Sequence, residues 1–465
     1  MMNKSLRSSA MDLTQGNPMR LLVLFALPML VGSVFQLFYN MVDTIVLGKF
    51  VSAEALASVG ATSSTYSMFI MAANAITNAM SILVSQAWGA RDRGQVKRTV
   101  AHALYMTLLG SVVFGVTALF SAGPIMRLLG TPSNIMEGSI RYIRITCGLM
   151  ITSLFYNAAA SILRAIGDSR TPLYFLILCS LLNIALDLVF VLWLHAGVAG
   201  VAWATVISQL VSSILCMAYM WKRYPELRFS SEHMAIRRDI MGSFFRIAGP
   251  MLLQNLALSV GMLVITRVIN SFGSDVVAAY TVGSKVEQLI TVTFSQVAFS
   301  FSIYAGQNYG AKAYERIRLG MRKAGLLLSG LIAFSIVVML FFAHPLALLF
   351  VNSDRPAILL SSVQMIRIEA VFLPALGAIW LFNSCLRGIG AIIPTVVSSV
   401  VELLSKIGLS VLLSTLWGSM GIWFAAPVGW VLGLVPSMLY YFFGGWLKHA
   451  IRQDMAQADG SAPAQ

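Results

Sequence analysis

QAWGAR at residues 86–91 and QNYGAK at 307–312 are one hexapeptide pattern written twice, and the shift between them, about 222 residues, runs through the whole chain. Each copy closes a stretch rich in small residues and opens a basic loop. Outward from this pair, Pro28-Met-Leu is echoed by Pro250-Met-Leu, and ALASVG at 55–60 by AAYTVG at 278–283. LRAIGDSRTP at 163–172 returns as LRGIGAIIP at 386–394. Four matches in one order mark an internal duplication.

What is duplicated is apolar. Of 465 residues, 58% are hydrophobic and 11% charged, against roughly 45–50% and 25% in a soluble domain. A soluble globule of this size cannot cover its surface with so few charges, whereas a chain in lipid needs polarity only at its two faces. Reading for runs of about 20 apolar residues predicts twelve spans: 20–48, 55–86, 99–122, 140–163, 172–194, 199–221, 244–271, 277–306, 320–343, 363–386, 394–417 and 421–446. The second and eighth are rich in Ser, Thr, Asn and Ala and are expected to pack within protein. Each half holds six spans, an even number, so both copies enter the membrane in the same sense. The expected fold is an all-α integral membrane protein of twelve transmembrane helices, in two six-helix lobes related by a pseudo-two-fold axis along the membrane normal. Its parts are an N-terminal arm (1–19), a first lobe (20–221), a linker (222–243), a second lobe (244–447) and a tail (448–465).

The net charge of +14 is read by position. With the N-terminus inside, inner segments carry 23 Lys and Arg and outer ones 7, which predicts both termini in the cytoplasm of a prokaryote whose plasma (inner) membrane the chain crosses many times. No removable signal peptide is expected, and no soluble element carries a nucleic-acid patch. The four cysteines lie apart in apolar runs, implying neither disulfides nor zinc. Scattered histidines, and the lack of HExxH, GxSxG and Walker motifs, exclude familiar hydrolases and ATP-driven transport. The chain is therefore read as a non-enzyme driven by an ion gradient. Two like bundles can rock about a shared cavity, open first to one side and then to the other.

A charge at the bilayer centre costs about 2.5–3.5 kcal/mol on insertion scales, so each one needs a reason. Gln36, Asn40 and Asp43 fall at i, i+4 and i+7 on one face of the first span, and Asn183 and Asp187 form an i, i+4 pair in the fifth. Thr205 in the sixth and Asn157 in the fourth add polar groups at comparable depth, and Phe35, Phe38 and Tyr39 flank the first stripe. Two carboxylates sharing a poorly hydrated cavity repel each other, so a proton can be taken up from one side and lost to the other. The same oxygens can alternatively coordinate sodium. The shift of 222 places Ile265, Ser405 and Leu409 opposite Asp43, Asn183 and Asp187, so these acids belong to the first half alone. The second half has Lys285 and Glu287 in its second span, and Glu402 with Lys406 one helical turn apart, read as a structural ion pair.

The spans, the run FYNMVDTIVLGKF at 38–50, the paired hexapeptides and LRAIGDSRTP together resemble the multidrug and toxic compound extrusion (MATE) family over essentially the whole chain, in the prokaryotic branch typified by DNA-damage-inducible protein F. The resemblance implies a secondary active antiporter that exports amphipathic, often cationic compounds in exchange for inward H+ or Na+ by alternating access. It implies a cation site of Asp43, Asn183, Asp187 and Thr205, holding H+ or, as a metal, Na+, and a bend at Pro28. Gln36 and Asn157, with neighbouring Tyr39 and Asn40, are the implied drug contacts. No cofactor is implied beyond the coupling ion; the partners are small-molecule drugs, organic cations and the bilayer, with the chain as a monomer. A sodium-driven branch of the family has a glutamate in the seventh helix and an aspartate in the tenth; here the seventh has Gln254 and Asn255 and the tenth no Asp. A lipid-linked oligosaccharide flippase of related architecture is the alternative.

Overall fold

The computed structural model describes residues 10–448 and 451, except for the side chains of 38–41, 43–45, 49 and 53. Among the described residues there are helices and no strands: α1 (Pro18–Phe50), α2 (Ala53–Gly89), α3 (Arg93–Leu128), α4 (Ser133–Thr146), α5 (Ile151–Ala165), α6 (Arg170–Leu188) and α7 (Gly197–Arg223). After a short connector come α8 (Arg238–Asn270), α9 (Ser274–Gly310), α10 (Tyr314–Phe341), the short α11 (Ala343–Leu348), α12 (Pro356–Gly388), α13 (Ile392–Trp417) and α14 (Ser419–Phe443). Polar side chains start the long helices where apolar runs begin. The Ser52 hydroxyl accepts from the Ala55 N–H and the Asp92 carboxylate from the Gln95 N–H, satisfying donors the helix leaves open.

Eleven single helices are long and apolar enough to cross a membrane, and α4 with α5 makes a twelfth crossing bent by 45°. The unbroken fourth span expected at 140–163 is thus corrected to two pieces. The break follows from close packing at glycine. A Cβ at Gly115 of α3 would come within 2.8 Å of the Gly148 carbonyl, and one at Gly148 within 2.1 Å of the Arg144 carbonyl. Three-residue hydrogen bonds, Met150 N–H to Cys147 and Thr152 N–H to Leu149, replace the α-helical ladder there. The two small-residue helices behave as their composition requires: 56% of the apolar window of α2 and 61% of that of α9 is buried, against 50% or less in every other single-helix span.

The duplication reappears as repeated turns. After α2 the Arg91 N–H donates to the Trp88 carbonyl with φ +58°, and after α9 the Lys312 N–H donates to Tyr309 with φ +56°. After α5, Gly167 (φ +97°) bonds back to Arg164; after α12, Gly390 (φ +82°) bonds back to Arg387. Sequence matches that share no apolar pattern are here matches of backbone geometry, closed by the same left-handed residue.

The described residues fall into two compact units, one within Met1–Leu13 and Leu24–Leu252, the other within Thr14–Val23 and Leu253–Gln465. The expected division at 222–243 therefore shifts: by packing, that segment belongs to the first unit, and the chain passes to the second inside α8. The cause is local. Tyr224 and Leu227 are buried, the Tyr224 hydroxyl donates to Asp168 at 2.6 Å, and His102 and Tyr105 of α3 hold the backbone of 234–237.

Candidate functional site

Asp187 lies in the last turn of α6 and is completely buried, as is Asn183 one turn before it. Thr205 of α7, also buried, receives a hydrogen bond from the Asn183 amide at 3.4 Å and gives its own proton to the Val201 carbonyl at 3.0 Å. Three sequence candidates therefore sit together across two packed helices. Carboxylate, amide and hydroxyl form a small polar patch in an apolar wall.

One turn further along both helices the wall closes. Val191 follows Asp187 by four residues, Val201 precedes Thr205 by four, and the two belong to one buried cluster with Val46 and Leu47 of α1 and Ala55 of α2. This apolar layer shields the acid from water at that end. Between Asp187 and the next loop the helix winds as a π-helical turn, Val189–Trp193, a local irregularity often found beside functional groups. The loop itself turns at His195, with φ +48°.

Asn157 is partly buried on α5, and its amide donates to the Ser153 carbonyl at 2.9 Å and the Ser153 hydroxyl at 3.4 Å. No hydrogen bond links it to the Asn183–Thr205 pair among those described. Gln36 is exposed on α1, a helix that packs against α6 where Gly32 meets Leu173 and Leu176. The side chains of Tyr39, Asn40 and Asp43, all candidates, lie outside the described residues.

The second unit holds a polar site of its own, a partly open cavity of about 420 Å³ lined by Tyr280, Glu287, Glu369 and Lys406 among others. Lys406 pairs with Glu402 at 3.3 Å and lies 5.7 Å from the ring centre of Trp430. Glu369 is the residue that reading the sequence missed. It is 1% exposed, yet it stands only two positions after Arg367, and a charged pair at the start of a run reads as a helix end. The signal was the opposite neighbour: α12 begins at Pro356, so Glu369 lies well inside it, followed by an uncharged stretch up to Arg387. Gln254 and Ser399 bond to each other, so the amide in the seventh span is engaged across to α13. Among the described residues no three His, Cys, Asp or Glu side chains gather closely enough to hold a metal ion.

The family model described as MatE matches residues 28–189 and again 250–412, once in each half. The probable multidrug resistance protein YoeA of Bacillus subtilis is 28% identical over 93% of this chain and 95% of its own. DNA damage-inducible protein F of Escherichia coli is 26% identical over 70% of this chain and 71% of its own. A crystal structure of MATE in the bent conformation superposes with a TM-score of 0.87 at 24% identity, covering 95% of this chain and 98% of that one.

Proposed function

The chain belongs to the MatE family of membrane transporters, and from that premise we propose that it is a secondary active multidrug efflux antiporter of a prokaryotic inner membrane, with both termini in the cytoplasm. It exports amphipathic, cationic compounds in exchange for inward H+ or Na+. The observation that carries this reading is the fully buried Asp187 beside Asn183 and Thr205. An acid inside a membrane span is functional by default, because its insertion is costly unless it does something.

The residues divide the work by chemistry. Asp187, with Asp43, supplies the negative charge that a proton or sodium ion neutralises. Asn183 and Thr205 offer a carbonyl and a hydroxyl oxygen, ligands suited to sodium and equally able to orient a protonated carboxyl. The apolar layer at Val191 and Val201 keeps water from short-circuiting the site on one side. With the ion bound, the acids no longer attract a cationic drug; with it released, they do. Ion and drug thus favour different states of the two lobes, and the exchange follows from that difference in affinity. Relatives named for multidrug resistance favour drugs over lipid-linked oligosaccharides as cargo.

The test is purified protein in liposomes loaded with ethidium, with efflux driven separately by a pH gradient and by a sodium gradient. Wild type is expected to respond to one of them and Asp187→Asn to neither. Wild-type efflux by Asp187→Asn at equal incorporation would overturn the proposal.

A further inference from the structure

The cavity of the second unit has a composition the ion-exchange reading does not use. Its charged groups are Glu287, Glu369, Lys285 and Lys406, with Glu402 beside Lys406. Three carboxylates thus face two ammonium groups. Lys406 is committed to Glu402 at 3.3 Å and to the face of Trp430, and Lys285 is exposed. Glu369 is 1% exposed, lines the cavity, and its Oε2 accepts no hydrogen bond. A buried carboxylate oxygen with nothing donating to it is an acceptor kept open.

Volume and walls narrow what completes it. About 420 Å³ is the size of an organic ligand site. An inorganic ion would leave most of it empty, and the acids are not gathered as a metal needs. The apolar side of the wall includes Ile422 and Tyr280, whose ring is stacked on the buried Trp423 at 6.3 Å and 13°. A rigidly held aromatic face beside two carboxylates suits a cation with an apolar body. The open oxygen further asks for a donor, which a primary ammonium has and a quaternary one lacks.

We propose that the second-unit cavity binds a small arylalkylammonium ion, its head group held by Glu369 and Glu287 and its body against Tyr280 and Ile422. The site discriminates by hydrogen bonding: primary amines enter, and fully methylated ones of the same shape bind weakly. It is independent of the Asp187 site, and nothing in it requires a gradient.

The experiment measures equilibrium binding of radiolabelled phenethylamine and of its N,N,N-trimethyl analogue to the full chain in lipid nanodiscs, without a gradient. Wild type is expected to prefer phenethylamine at least tenfold. In Glu369→Gln that preference should collapse, and Ile422→Trp, which fills the cavity and leaves both acids in place, should weaken both ligands. Monodispersity and thermal unfolding report folding; if Glu369→Gln does not fold, Glu287→Gln and Ile422→Trp carry the test. Equal binding of the two probes by wild type, unchanged phenethylamine affinity in the folded variants, or displacement of the amine by sodium at equal concentration would each overturn the proposal. The readout is binding alone, so its failure is distinguishable from a failure of gradient-driven efflux.

Discussion

The backbone N–H of Arg237 donates to Nε2 of His102 at 2.9 Å, while Nδ1 of the same ring lies 2.7 Å from the Arg98 carbonyl. With Nε2 accepting, the ring proton sits on Nδ1 and is given to Arg98, so one neutral tautomer joins α3 to the end of the connector. The Tyr105 hydroxyl adds a bond to the Met234 carbonyl at 3.1 Å. His102→Phe keeps the ring volume and removes both ring bonds. With about 1 kcal/mol lost per bond, local opening should rise roughly five-fold for each. Trypsin cleavage at Arg228, Arg237 and Arg238 is the measurement; unchanged cleavage rates would show that the connector is held by something else.

Asp187 carries a cost that its function must justify. Replacing it by Asn, or by the Leu that stands at 409 in the second half, removes a carboxylate buried in an apolar wall. Thermal unfolding in detergent is expected to be unchanged or higher, with ethidium efflux lost. A strongly lowered unfolding temperature would mean the acid is structural.

Two glycines with the same kind of backbone should respond differently to alanine. Gly167 has φ +97° and a Cβ there would meet the Met11 carbonyl at 2.1 Å; Gly273 has φ +90° and open space around it. Gly273→Ala should cost about 1 kcal/mol from the backbone alone, and Gly167→Ala about 3 kcal/mol or more because main chain must move. Equal effects on thermal unfolding would contradict the close approach of the N-terminal segment to the α5–α6 turn.

The Glu402–Lys406 pair keeps 20–25% of its side-chain surface exposed. Lys406→Met alone strands a carboxylate and should destabilise by about 3 kcal/mol, the lower end for broken buried pairs. Adding Glu402→Gln should restore most of that loss. If the double variant unfolds as readily as the single one, the pair is not what sets the cost.

How much of this was legible beforehand depended on range. Crossings, the duplicated turns and the Glu402–Lys406 pair are local patterns, set by about 20 residues or by one helical turn, and the structure has all three. The break at residues 147–150 was not legible, because every residue around it remains apolar enough and the cause, Gly115 against Gly148, lies on another helix. Glu369 was missed for a related reason: its burial is set by the helices around α12, and Arg367 nearby gave it the look of a helix end. Asn183 and Asp187 were visible as a spaced pair, but the bond from Asn183 to Thr205 depends on how α6 and α7 are set against each other, which no single segment encodes.

The π-helical turn between Asp187 and His195 is closed by the Leu194 N–H on the Val189 carbonyl, five residues back. Such a turn is an α-helix wound with one residue too many, and it acts as a phase shifter. Removing that residue would rewind the segment and swing whatever follows by about 100°. The valines that cap the acid would then lose their seat while the acid itself stayed where it is, so leakiness toward one side of the membrane can be tuned by helix phase, with the ion ligands untouched.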